Sequence, residues 1–122
     1  MQDLLNSLIE VAVQHKGKNL LLFDVRKNSS VTDYFLLIEG NVPQHIKALK
    51  SYLILEGEKR AHSPLRIEED QYAEWIAIDY FSLMIHIITK EVREYYHLED
   101  FWRKQGQCIE WPVAKTVPLK CI

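Results

Sequence analysis

The sequence predicts a single α/β domain of the α+β kind, a mixed five-stranded sheet with helices packed against it. Three observations lead there. The chain has 122 residues, 48% of them hydrophobic, which suits one domain with a substantial core. Segments with helical apolar spacing and short β-branched or aromatic runs follow one another in the order α-β-β-α-β-β-β-α. One of the runs, Leu83 to Ile88, is apolar almost without interruption, as expected for a strand covered on both faces inside a sheet.

In the first helix, expected over 3–16, Leu4, Leu5, Leu8, Ile9, Ala12 and Val13 share a face behind Asp3 as candidate N-cap, and Lys16-Gly17 marks the end. Leu20 to Val25 reads as a buried strand. The polar connection after it holds Asn28, Ser29, Ser30, Thr32 and Asp33, side chains that bond readily to nearby backbone. Tyr34 to Glu39 is the second strand. Gly40 breaks it, Asn41 is a candidate cap and Pro43 suits a first helical turn, so Ile46, Leu49, Leu53 and Ile54 become the apolar face of a helix ending near Gly57. After the loop His62-Ser63-Pro64, Leu65 to Ile67 makes a short strand and Glu68-Glu69-Asp70 an acidic turn. Trp75 to Tyr80 pairs with Leu83 to Ile88 across a turn at Phe81-Ser82. Lys90 to Tyr96 is helical, with Glu91 and Glu94 in its opening turns, where the helix dipole favours acids. Beyond Trp102, Gly106, Pro112 and Pro118 interrupt every apolar period. Residues 1–102 are therefore expected to form the domain and 103–122 a flexible tail.

No run of 18 apolar residues occurs, and Met1-Gln2-Asp3-Leu4 places an acid where an export signal has bases, which predicts a cytoplasmic protein with no membrane segment. Cys108 and Cys121 alone make no disulfide framework and suit a reducing compartment. The net charge of −2 is uneven: Arg103, Lys104, Lys115 and Lys120 against Glu110 give residues 103–122 a charge of +3, leaving −5 on residues 1–102. An acidic body repels phosphate backbones and attracts basic surfaces, so a basic protein partner is favoured, with little direct nucleic-acid contact.

Catalysis has few candidates. Asp24, Asp33 and Asp79 fall at strand ends, where carboxylates can converge on Mg²⁺, and a metal-dependent nucleotidyltransferase is the enzyme class that such a site suggests. That chemistry also needs a phosphate-cradling Gly-Ser turn and closely spaced metal-binding acids, and the sequence has no Gly-Ser pair, no Asp-x-Asp and no lysine in a glycine-rich loop. Histidines 15, 45, 62, 86 and 97 do not pair at metal-ligand spacing, and His86, inside an apolar strand, reads as a hydrogen-bonded structural residue. The expectation is a non-enzyme without metal or cofactor. Binding is better supported. In Trp75-Ile76-Ala77-Ile78-Asp79-Tyr80, alternation puts Trp75 and Asp79 on the face opposite the isoleucines. An aromatic anchor flanked by carboxylates suits a basic partner, and Asp33, Tyr34 and Tyr80 are expected to extend it.

Several motifs in order resemble one known family. They are Asp24-Val25-Arg26, Ser29-Ser30-Val31-Thr32-Asp33-Tyr34-Phe35, Pro64-Leu65-Arg66-Ile67-Glu68, Trp75-Ile76-Ala77-Ile78-Asp79-Tyr80, His86 and Glu91-Val92-Arg93-Glu94-Tyr95-Tyr96, with Leu98-Glu99 and Trp102. In register from about residue 3 to 102, the sequence is similar to the ribosomal silencing factors, also called Iojap. The resemblance implies a fold like that of nucleotidyltransferases without their chemistry. It implies binding to the large ribosomal subunit through ribosomal protein number fourteen, which blocks joining of the small subunit when nutrients are scarce, and a free homodimer. Two stretches depart from the family pattern. The usual Ser-Gly-Thr-Ser-Asn-Arg-Gln run is Glu39-Gly40-Asn41-Val42-Pro43-Gln44-His45, and the Gly-Asp after Asp-Tyr is Phe81-Ser82. A homodimeric structural protein is the remaining alternative.

Overall fold

Strand alternation sorts the apolar residues onto two faces of a single sheet. The computed structural model describes residues 2–28 and 32–109. In order, the elements are α1 (Gln2–Gln14), β1 (Lys18–Asp24), β2 (Tyr34–Gly40), α2 (Pro43–Lys59), β3 (Arg66–Glu69), β4 (Trp75–Asp79), β5 (Leu83–Thr89), α3 (Lys90–Tyr96), α4 (Leu98–Gln105) and β6 (Gln107–Ile109). The strand order is β3-β4-β5-β2-β1-β6. β2 and β5 run parallel at the centre, and the other pairs are antiparallel. No helix among the described residues is long and apolar enough to cross a membrane.

One face is closed by α1 and α2. Leu4, Leu5, Leu8 and Ile9 from α1 and Ile46, Leu49 and Leu53 from α2 bury themselves against Leu22, Leu36, Ile38, Ile76, Ile78, Ile85 and Ile87. Each such side chain contributes about 1.5–3 kcal/mol by leaving water, so this layer dominates the stability. Between the two helices the Ser7 hydroxyl donates to Glu56, which holds that carboxyl below its usual range. His15 stacks on Tyr52 with ring centroids 3.6 Å apart where α1 ends.

The other face holds Leu21, Phe23, Val25, Leu37 and Ile88 under Leu98 and Trp102 of α4. The Thr89 hydroxyl caps α3 by accepting from the Val92 amide, and His97, at φ 49°, turns the chain from α3 into α4. Arg93 fastens this helix pair to the sheet. Its buried guanidinium donates to the Asn19 carbonyl at 2.7 Å, lies 3.5 Å from a Glu39 carboxylate oxygen and pairs with Glu99.

The predicted fold class holds, with six strands where five are expected. α2 passes through Gly57 to Lys59, because a glycine there lets the Tyr80 ring lie against the helix: a Cβ would stand 2.7 Å from the Tyr80 hydroxyl. Glu68 and Glu69 belong to β3, opposite Ala77 and Ile76, and not to an acidic turn. The helix cap expected from Asn41 falls at Val42, which has no side-chain cap bond. The ordered body also runs past Trp102, correcting the expected start of a tail at 103. α4 continues to Gln105 and β6 pairs with β1, Phe23 opposite Cys108. Gly106 makes this return, since a Cβ there would meet the Asp24 carbonyl oxygen at 2.3 Å. Cys108, on β6, packs half-buried against the Leu21, Phe23 and Trp102 cluster. The rest of the expected tail, 110–122, and the Ser29-Ser30-Val31 part of the motifs lie outside the described residues.

Candidate functional site

α3 and α4 cover only part of their face of the sheet. The register sets Trp75 opposite Ile88, Ala77 opposite His86 and Asp79 opposite Met84, all pointing to that face. Ile88 is buried, whereas Trp75, Ala77, Asp79, Met84 and His86 are only half-buried. Arg66 and Glu68 on the edge strand β3, opposite Asp79 and Ala77, are exposed. The result is a shallow concavity of about 350 Å³ lined by Trp75, Ala77 and His86 with the acids Glu68, Glu69 and Asp70.

Trp75 is held in place from several sides. Its indole N–H donates to His86 Nδ1 at 3.0 Å, and its ring lies 5.8 Å from that of Tyr96. Its backbone amide donates to the Asp70 carboxylate at 2.9 Å, as does that of Glu74 at 2.7 Å, so Asp70 fixes the turn into β4. His86 is packed between Phe35 and Trp102, centroids 5.7 and 4.8 Å away. Burial pushes its pKa down to about 4, so the imidazole is neutral and its Nδ1 is free to accept the indole proton. Trp75 therefore stands on a packed aromatic base.

The predicted site residues do not all meet. Trp75 and Asp79 share the partly uncovered face, as alternation requires. Asp79 accepts from the Phe81 amide at 2.8 Å, which shapes the turn to β5. Asp33 is exposed at the same end of the sheet, where its amide donates to the Ser82 carbonyl at 3.1 Å. Tyr34 lies on the α1–α2 side, packed against that cluster, with the Arg26 guanidinium 5.5 Å from its ring centroid. Tyr80 is a correction. Only 7% exposed, it belongs to the α1–α2 core, because the strand ends at Asp79 and Tyr80 turns its ring towards Gly57. Burial raises its pKa. Sequence reasoning also passed over His86 as the partner of Trp75. The two-residue turn at Phe81-Ser82 held that signal, since it sets Ala77 opposite His86 and so brings the indole within reach.

Two of the strand-end carboxylates are committed to local partners. Asp24 is held by Arg26 at 2.6 Å, which lowers its pKa, and Asp79 is committed to its turn. Among the described residues no group of three or more His, Cys, Asp or Glu side chains is placed to hold a metal ion.

The arrangement is a partly uncovered sheet face that sets an indole beside carboxylates. The profile of a family described as "Ribosomal silencing factor during starvation" matches residues 1–119. The chain belongs to the ribosomal silencing factor family. A silencing factor RsfS of Haemophilus influenzae is 32% identical over 99 residues, spanning 81% of this chain and 97% of that protein. A Mus musculus protein named "Mitochondrial assembly of ribosomal large subunit protein 1" is 27% identical over 119 residues, spanning 93% of this chain and 52% of its own length. The fold matches a crystal structure from Chromobacterium violaceum with a TM-score of 0.79 at 24% identity, over 93% of this chain and 95% of that one. As a ribosomal silencing factor the protein is placed among ribosome-associated regulators of translation, and the partly uncovered sheet face is its candidate contact.

Proposed function

We propose that this silencing factor binds the large ribosomal subunit through ribosomal protein number fourteen and keeps the small subunit away by occupying its place, without turnover. It does so in the cytoplasm, and when free it pairs with a second copy through the same face. The observation that supports this most is the half-open sheet face bearing Trp75, Ala77 and Asp79, with Glu68 at its edge. An anchored indole inside an acidic rim suits a basic protein surface, with the ring supplying affinity and the carboxylates steering encounter. Membership of the family points the same way, and the mouse relative carries the large subunit in its name. Asp33 extends the rim at the turn end, whereas Tyr34 and Tyr80 sit on the other side of the sheet and take no part.

Sedimentation with separated subunits tests the reading. The protein travels with the large subunit alone, and inhibition of subunit joining saturates at about one copy per large subunit, independent of nucleotide and Mg²⁺. Loss of a central aromatic costs an interface about 2 kcal/mol or more, so Trp75→Ala weakens binding roughly thirtyfold. Recovery with small subunits, or inhibition that grows with time at substoichiometric protein, overturns it.

A further inference from the structure

The two central strands run parallel, and both helices that follow them begin at the same end of the sheet. Gly40 closes β2 just before Pro43 opens α2, and Thr89 closes β5 just before Lys90 opens α3. A concavity of about 490 Å³ lies there. Open sheets take ligands in the crevice outside the carboxyl ends of adjacent parallel strands, and small-molecule sites measure about 300–1,000 Å³. Both conditions are met at a place separate from Trp75, Ala77 and Asp79.

The lining is cationic in an otherwise acidic protein. Lys16 from the turn after α1, Lys18 from the start of β1 and Lys90 from the start of α3 all border the cavity. Among the described residues Lys16 and Lys18 form no ion pair, and Lys90 has only a loose, exposed contact with Glu94 at 4.0 Å. Two carboxylates share the wall. Glu39 is tied to the buried Arg93 guanidinium at 3.5 Å and to the Asn19 amide nitrogen at 3.2 Å, and with Glu91 it is outnumbered by the three lysines. The wall is also held firmly. His45 accepts from the Asn41 amide at 2.9 Å through Nδ1 and, through Nε2–H, donates to the His15 carbonyl at 2.7 Å. At this rim α2 opens with no side-chain cap bond and no acid in its first turn, so its backbone amides add to the field of the lysines.

We propose that this cavity binds a small anion with two or more linked phosphates, of the kind carried by a nucleoside diphosphate. Three lysines, two from residues 16–18 and one from the start of α3, border a space larger than one phosphate needs and match a spread charge better than a single one. Lysine serves phosphate as a mobile point charge, which suits such a site. A nucleic-acid strand fits less well, because the site is concave and the chain carries a net charge of −2.

The test needs no ribosome, so its outcome is separate from that of the docking reading. The free protein is titrated with pyrophosphate and, in parallel, with a short single-stranded RNA, while backbone amide resonances are followed by NMR. Pyrophosphate is expected to shift residues 16–18, 40–45 and 90–91 saturably. The exposed triple variant Lys16→Gln/Lys18→Gln/Lys90→Gln should bind it at least tenfold more weakly while keeping the wild-type unfolding temperature. Absence of saturable shifts at millimolar pyrophosphate, unchanged affinity in the triple variant, or shifts at these residues produced by the RNA and not by pyrophosphate would each overturn the proposal.

Discussion

Mild acid should loosen this protein through one imidazole. His86 titrates near 6.5 when the chain is unfolded and at about 4 when folded, because burial disfavours the charged ring. At about pH 7.5 it is neutral in both states and costs nothing. At about pH 5 the unfolded chain holds the proton and the native chain refuses it, so the folded state loses about 2 kcal/mol, rising towards about 3 kcal/mol below pH 4. The direction is fixed by the lowered pKa: stability is complete above 6.5 and falls as pH drops towards 4. Domains of this kind are stable by only about 5–15 kcal/mol, so the loss is large enough to measure. Urea unfolding of wild type and His86→Gln at both pH values isolates it. Glutamine retains an acceptor for the Trp75 indole but cannot titrate, so wild type should lose about 2 kcal/mol more than the variant between the two pH values. Equal losses would refute the argument. Asp24 and Glu56, whose pKa values are lowered, also cost stability in acid, but below the range used here and equally in both proteins.

Removing the Arg93 guanidinium leaves the Glu39 and Glu99 carboxylates facing each other without it, and Arg93→Ala should cost about 3 kcal/mol in denaturant unfolding. Gly57→Ala gains about 1 kcal/mol of helix propensity but drives a Cβ to 2.7 Å from the Tyr80 hydroxyl, so it should be destabilising by about 1 kcal/mol overall. Since that hydroxyl has no hydrogen-bond partner among the described residues, Tyr80→Phe should be slightly stabilising and should relieve Gly57→Ala by more than it helps wild type, a coupling read from a double-mutant cycle. Truncation after Trp102 strips β6 from β1 and the last turn of α4, and should lower the melting temperature, whereas truncation after Ile109 retains every described element.

Periodicity carried most of the fold. The apolar faces of α1 and α2 and the four longer strands were readable because each buries several residues at its own repeat, as Ile46, Leu49 and Leu53 do. What escaped was short. β6 has three residues, too few for a pattern, and its place depends on Gly106 and a partner strand far away in sequence. α4 was hidden by its composition, Leu98-Glu99-Asp100-Phe101-Trp102-Arg103-Lys104-Gln105, in which the buried contacts are Leu98 and Trp102 alone among its described side chains. At the site, alternation placed Trp75 and Asp79 together correctly, but extending it one residue past the strand misplaced Tyr80. Alternation is a property of extended backbone, and it stops at Asp79.

The position of β5 decides how the molecule can assemble. β1 with β2 and β3 with β4 are each antiparallel neighbours that can pair as they emerge, but the two pairs share no strand contact until residues 83–89 slide between them. Folding is thus an insertion step that waits for distant segments to meet, and its rate is governed by closing long loops more than by forming helices. A nascent chain halted before Leu83 would present two open strand edges above apolar faces, the form most prone to aggregate. The strand that completes the centre of the sheet follows both antiparallel pairs in the chain, so neither pair is shielded until it has been made.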